Sequence, residues 1–583
     1  MHMRFCIAAA AAAILFSSCS DDPVGTGGTR PAEYSQASLE FYGSDVDALW
    51  GRSASDLYLS GSILAHYDGD KWDLIEFPRN AQGIRSIFPG ENGTVNWLGS
   101  TALFRYEEST WERIPLPSEA YEYWSADDGQ LYIANGARHF WKFDGASWSE
   151  LDSLPDLGGE YYSALAGDGH DNIFASASDG SIAHFDGVSW TMAKSGNGRG
   201  VGSAWKDPDG PLYVATWYDT LYTFDGTNLT PVDFGPEFRA QSVYGNAPAE
   251  LYVRGYDYHS GCAALRKRQG NNWVSVACDG GFSDFTVWGA ESGESFVATR
   301  NVVLRIHGDS RETLLGVESD RFGLDPQVYD MWGTESEGIV AVGAIARRYF
   351  EGQWIDLHKE EITNNPAYSV WGTSMSNLWA VGSAMILHYD GDDWTWVSGA
   401  AQQDMRGVWC SDDEVIAVGR QGAIMRYRGD EWEAMASGTS YDLSAVWGWK
   451  DGAFAAGEDG AILRYDGDDW QIEDSPINWF IYDLFGLAPN NIWAVGESTL
   501  EICHYDGRNW TPQEIMATNG DLVSIWATSS QNVFVANGFG AVLRFDGDAW
   551  SILPRYLATH QCLWGNSRGE LLVGGSGIVR FQR

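Results

Sequence analysis

The segment HYDGDDW (388–394) returns as RYDGDDW (464–470), HYDGDKW (66–72), RFDGDAW (544–550) and HYDGRNW (504–510). Such an acid-rich heptad is either a set of oxygen ligands for a hard cation or the corner of a repeated fold. Equivalent positions elsewhere read RGDEW (428–432) and EGQW (351–354). The turn is kept while the carboxylates are exchanged, which argues against calcium held by Asp390, Asp392 and Asp393. His66, His184, His388 and His504, two residues before the Asp, alternate with Arg426, Arg464 and Arg544 in other repeats. A metal ligand does not trade places with a guanidinium, so these read as solvated strand residues. No metal and no cofactor is expected.

The heptad belongs to a longer unit, clearest as YSVWGTSMSNLWAVGSAMILHYDGDDWTWVSG (368–399). It contains four β-rich runs separated by Gly or Asp-Gly, and Asp-Gly favours a tight hairpin because Gly accepts positive φ. Aligning on VWG gives fourteen anchors: Trp50, Phe88, Trp124, Ala166, Trp205, Tyr244, Trp288, Trp332, Trp371, Trp409, Trp447, Phe485, Trp526 and Trp564. Their separations, 36 to 44 residues, match the period of a four-stranded propeller blade. The heptads then lie at the outer hairpin between third and fourth strands, with the following Trp packed between blades.

The pattern WAVG...ILHYDG..W resembles the repeats of bacterial secreted and surface β-propeller proteins, loosely of the BNR or Asp-box and regulator-propeller types. It departs from a true Asp-box, which has Ser or Thr two residues before the Asp and one residue between Asp and Gly, so a sialidase activity is not carried over. The resemblance implies a fold rather than an activity. The expected fold is all-β: tandem β-propellers, two rings of seven four-stranded blades, with eight plus six as the other division. The first propeller is placed at 38–328 and the second at 329–583. The last repeat stops at GIVRFQR with three strands, and SLEFYG (38–43) is a spare strand that could complete it.

Residues 1–19 read as a leader, with Arg4 before the apolar run IAAAAAAILF (7–16), too short to span a bilayer. Phe16-Ser17-Ser18-Cys19 resembles a bacterial lipobox with Phe16 where Leu is usual, which would make Cys19 the lipidated residue; an ordinary signal peptide is the alternative. Residues 20–37 read as a flexible tether. An exported lipoprotein of the outer membrane or cell surface is expected, with a periplasmic or secreted protein as the other possibility. Contact with the membrane would be through the lipid alone. The formal charge of -43 repels phosphate backbones and excludes nucleic acid as a partner. Cys262 and Cys278 are equidistant from Gly270, which places them opposite each other for a disulfide. Cys410, Cys503 and Cys562 read as buried thiols.

Function in such a fold lies where residues break the repeat on the face of the inter-blade loops and of the loops between second and third strands. In repeats 3 to 7 those loops supply Arg138, His139, Asp179, Trp217, Tyr218, Asp219, Tyr256, Asp257, Tyr258, His259 and Arg300. Aromatic platforms beside carboxylates and Arg suit a sugar or a peptide. Three residues before the anchors, the second propeller carries Tyr329, Tyr368, Arg406 and Tyr482, a recognition mouth or a channel plug. Standard catalytic motifs are absent; GNSRG (565–569) opens no helix and is no nucleophile elbow. The expectation is a monomeric binding protein for a glycan, peptide or protein. A glycoside hydrolase using Asp219 with Asp257, and a structural scaffold or adhesin, are the alternatives.

Overall fold

The computed structural model describes residues 36–582 apart from short stretches, among them 43–45, 218–219, 280–285, 299–301 and 317–327. The leader, Cys19, Tyr218, Asp219, Arg300 and the side chain of Cys278 lie outside the described residues. Strands form fourteen four-stranded antiparallel sheets. Each VWG anchor lies on the innermost strand of its sheet, as Trp371 does in Ala367–Ser374 and Trp447 in Leu443–Trp449.

The innermost strand of the seventh blade, Thr286–Gly289, lies against that of the first, Val46–Ser53. That of the fourteenth, His560–Gly565, lies against that of the eighth, Val328–Thr334. The chain therefore closes twice, into two rings of seven. The second ring borrows its last strand from the other end of the chain: Gln36–Tyr42 pairs antiparallel with Gly577–Gln582, Ser38 opposite Arg580.

The core sits between blades rather than inside any one of them. Trp332, Val340 and Val342 of the eighth blade pack with Val370, Leu378 and Trp394 of the ninth. Trp394 is the Trp that closes the HYDGDDW hairpin, and it lies 5.2 Å from the ring of Tyr389. Phe454 of the eleventh blade likewise meets Trp510 of the twelfth edge-on at 5.5 Å. The anchor itself explains the Gly that follows it. A Cβ on Gly486 would come within 2.8 Å of the Trp447 indole of the preceding blade, and one on Gly51 within 3.0 Å of Trp288 across the first ring's closure. Only a residue without a side chain lets the neighbouring indole lie flat on the strand.

One cluster crosses between the rings. Leu57, Phe296 and Val303 of the first share it with Phe534, Leu563 and Val579 of the second. Beside it the backbone N–H of Phe77 donates to the carbonyl of Arg555 at 2.8 Å, and the Arg555 guanidinium stands 5.0 Å over the Phe77 ring.

The acidic heptads are capped turns. In HYDGDDW the Oδ1 of Asp390 accepts from the backbone N–H groups of Asp392 (3.0 Å) and Asp393 (2.9 Å). The same pair of bonds recurs at Asp68, Asp466, Asp506 and Asp546. These bonds hold each carboxyl below its ordinary 3.8. A carboxyl whose folded pKa is depressed contributes stability above its unfolded pKa and loses it as pH falls through the folded value. Replacing Asp390, Asp466, Asp506 and Asp546 together by Asn keeps an acceptor oxygen but removes the ionisation. The expected result is a flatter loss of stability below about pH 4, read from urea unfolding at stepped pH.

The histidines before these turns are not simply solvated, contrary to the sequence expectation. His184, His388 and His504 are half-buried and hydrogen-bond Asn172, Asn377 and Asn491 at 2.9, 2.9 and 2.8 Å, each Asn opening the second strand of the same blade. The strand pairing places the ring over the neighbouring strand, where burial lowers the pKa of His388 and His504. The cysteine register also differs. Cys262 is disulfide-bonded, and Cys278 stands opposite Ala264 rather than Cys262, because Gln269 pairs with Asn272 and a bulge between Leu265 and Arg266 shifts the pairing by one residue more. Cys410, Cys503 and Cys562 are free and buried.

Candidate functional site

On the first ring's loop face, the structure gives several of the singled-out residues jobs within the fold. Asp257 is buried and ion-paired with Arg266 at 2.8 Å. It also accepts the backbone N–H groups of His259 (3.0 Å) and Ser260 (3.3 Å). Burial pushes its carboxyl up, and Arg266 with the two N–H groups outweighs burial and lowers it. A carboxylate so engaged supports its own turn. Asp179 caps its own loop, accepting the N–H of Ser181 at 2.7 Å and its hydroxyl at 2.8 Å. His139 stacks on Trp141 at 5.2 Å and pairs with Glu150 at 2.5 Å. Tyr256 and Tyr258 meet edge-on at 4.9 Å, and His259 lies 3.4 Å from Glu237.

Trp217 behaves differently. Three residues before the anchor, where four blades of the second ring carry Tyr or Arg, the fifth blade has Gly202. The vacant side-chain position seats an indole: a Cβ on Gly202 would come within 2.7 Å of the Trp217 ring, and one on Gly200 within 2.6 Å. Trp217 nevertheless leaves 50% of its surface in solvent, and Tyr161, 6.1 Å away on the fourth blade, leaves 54%. The adjoining residues continue the surface toward the third blade. Tyr161 accepts the N–H of Ser178 at 2.9 Å, and Arg138 pairs with Asp156 at 3.7 Å. Tyr162 beside them feels the charges of Asp179, Arg138 and Asp156 while burial holds its hydroxyl above the usual range. Arg138, Asp179 and Trp217 thus belong to one neighbourhood. Tyr161 was missed because it lies in the connection before an inner strand whose anchor is Ala166; the doubled Tyr161-Tyr162 is the signal that could have found it.

On the second ring, the mouth residues of blades eight to ten touch in succession. Tyr329 meets Tyr368 edge-on at 5.8 Å, and the Arg406 guanidinium covers the Tyr368 ring at 4.5 Å, a cation–π arrangement. The Tyr368 hydroxyl is anchored to Ser383 at 2.9 Å. Tyr482 stands apart on blade twelve, donating to Glu497 at 3.0 Å and packed on Phe480 at 5.3 Å.

One position deeper, polar side chains of blades eight, nine, twelve and thirteen strap each of them to the next. Asp330 accepts the N–H of Val370 (2.8 Å) and Asp483 that of Ile525 (2.9 Å). Ser369 and Ser524 do the same for Val408 (3.4 Å) and Leu563 (3.1 Å). Burial pushes the Asp330 carboxyl up to about 7, and the charge of Asp483 adds to it. Among the described residues no group of three or more His, Cys, Asp or Glu side chains is arranged to hold a metal ion.

No family model matches the chain. Among solved structures it is similar to PorZ, described as an essential bacterial surface component of the type-IX secretion system of Porphyromonas gingivalis. The TM-score is 0.62 at 11% identity, over 94% of this chain and 87% of that one. This chain is a tandem β-propeller. At that identity the likeness is one of fold. The extracellular domain of the putative one-component system BT4673 from B. thetaiotaomicron aligns over 94% of this chain and 82% of its own at 11% identity, with a TM-score of 0.37. Among curated proteins, the immune protein Tsi7 of Pseudomonas aeruginosa is 28% identical over 169 residues, 28% of this chain and 52% of Tsi7. The chain thus spans about half the length of the curated relative that it matches. No helix among the described residues of this propeller is long and apolar enough to cross a membrane.

Proposed function

We propose that this propeller is an exported binding protein, held at the bacterial surface through a lipid on Cys19, that takes a glycan or peptide on the loop face of its first ring. The observation that carries this reading is the exposed pair Tyr161 and Trp217. Two large rings side by side in water on adjacent blades offer an apolar platform, and Arg138, Asp156 and Asp179 beside it supply charge-assisted bonds. The surface location rests on the leader, and PorZ, being described as a bacterial surface component, is an example of this architecture at such a place. The engagement of Asp257 by Arg266 favours binding over hydrolysis.

The test is a combined glycan and peptide array probed with the chain from Ser20 onward, followed by titration of any hit. Trp217→Ala and Tyr161→Ala are each expected to weaken the hit at least about tenfold, roughly 1.4 kcal/mol. Hits indifferent to both substitutions, or none on either array, would remove the first ring from consideration.

A further inference from the structure

The loop face of the second ring changes character around its circumference. Blades eight to ten carry the Tyr329–Tyr368–Arg406 stack. On blades eleven to thirteen apolar side chains stand out into solvent: Tyr441 at 41% exposure, Leu500 at 56%, Met516 at 41% and Phe539 at 61%. Isolated exposed apolar residues are ordinary, but four in the loops of one face of three successive blades form a crescent. The loops that carry them (437–442, 457–461, 474–481, 497–500, 515–521 and 538–541) contain six carboxylates and neither Lys nor Arg.

Part of this acid is held in place. Asp459 accepts the hydroxyl of Tyr441 at 3.1 Å, and Glu497 accepts that of Tyr482 at 3.0 Å. Glu497 and Asp521 are near enough to oppose each other's charge, and burial together with Glu497 raises the Asp521 carboxyl. Like charges so placed gain from a cation set between them. Phe539 lies over Gly520, immediately before Asp521, so an apolar and an anionic group are presented as neighbours.

We infer that this crescent docks a basic polypeptide segment, one in which Lys or Arg alternates with aromatic or aliphatic side chains. Charge complementarity selects the occupant. Asp442 already faces Arg420 of the tenth blade at 3.9 Å, but a neutral glycan makes no use of the remaining excess of negative charge, and a small inorganic cation has no use for Leu500 and Phe539. A second copy of this chain, at a formal charge of -43, is repelled. The same overall charge steers a cationic segment toward the face and makes its capture sensitive to salt. The inference does not rest on the first ring's aromatic pair.

A random-peptide display library panned on the full chain supplies the probe, and the most enriched peptide is then titrated by fluorescence anisotropy. Enriched peptides are expected to carry two or more basic residues beside aromatic or aliphatic ones. Their affinity should fall about tenfold in the pair Glu497→Gln with Asp521→Asn, and by a similar factor in Phe539→Ala. Both changes are on exposed loops, and Gln at 497 keeps an acceptor for Tyr482. Trp217→Ala should leave this affinity unchanged, which separates the two surfaces. Peptides without a basic bias, an affinity insensitive to these substitutions and to added salt, or no enrichment at all would each overturn the inference.

Discussion

Deleting residues 36–42 is expected to destabilise the second ring by roughly 5 kcal/mol, the sum of about six residue pairs' backbone hydrogen bonding at about 1 kcal/mol each. In the intact chain Gln36–Tyr42 is the outermost strand of the fourteenth blade, paired from Gln36 opposite Gln582 to Tyr42 opposite Gly577. Without it Gly577–Gln582 becomes an edge, although Ile578, Val579 and Phe581 are core residues. The newly unpaired N–H and C=O groups invite association with other chains. Hydrogen exchange of the amides in 577–582 is the direct measurement, with protection expected to fall by about three orders of magnitude. Unchanged protection there would mean that the outer strand is dispensable. The pairing also joins residues at opposite ends of the chain, so the second ring cannot be completed until the last residues are available, and its closure is expected to be a slow, long-range step.

Trp564→Ala should cost about 3–5 kcal/mol, the range for a fully packed aromatic truncated to a methyl. Trp564 is 3% exposed and lies in the cluster where the fourteenth blade meets the eighth, with Val328, Met331, Ile339 and Leu572. Its indole N–H donates to the carbonyl of Gly333 at 3.3 Å, across the closure of the ring. Loss of this residue leaves a void at the one junction that chain connectivity does not support. Trp564→Phe, which keeps most of the apolar contact and loses the N–H, should cost less than half as much. Trp217→Ala, at a half-exposed position, should stay within about 0.5 kcal/mol of the parent. Denaturant unfolding of the three variants checks the order. A cost for Trp564→Ala no larger than that for Trp217→Ala would show that closure does not depend on this contact.

Much of the blade was readable in the sequence because its determinants are local. Asp390 folds the turn with the N–H groups of Asp392 and Asp393, two and three residues on, so the motif and its consequence share one short window. The expected direct opposition of Cys262 and Cys278 is missed for a related reason: counting from Gly270 assumes a turn centred on it and an uninterrupted ladder, whereas Gln269 pairs with Asn272 and a bulge between Leu265 and Arg266 adds a second residue of shift, so that Cys278 faces Ala264. For the candidate site, Tyr256 and Asp257, expected in a loop, end the strand Leu251–Asp257, and composition could not separate Asp257, engaged by Arg266, from Trp217, open to solvent. The second ring's apolar crescent went unnoticed because Leu500 and Phe539 are single residues in short loops that look uniform beside GEDG and GRQG. A single exposed side chain leaves no periodic trace.

By itself the sequence determined the four-stranded unit, its fourteenfold repetition and the identity of the anchors, since period, turn chemistry and alternation are properties of neighbours along the chain. The tertiary structure alone decided which blades close on one another, because the Trp-on-Gly contact that joins successive blades, as at Gly372 and Gly486, is the same one that closes the first ring at Gly51, and the local pattern does not distinguish them. It likewise decided that Asp330 and Asp483 strap adjacent blades rather than face a ligand, and that Gly202 is the seat of an indole. Those roles depend on what the neighbouring blade brings to the contact, and only the closed ring supplies it.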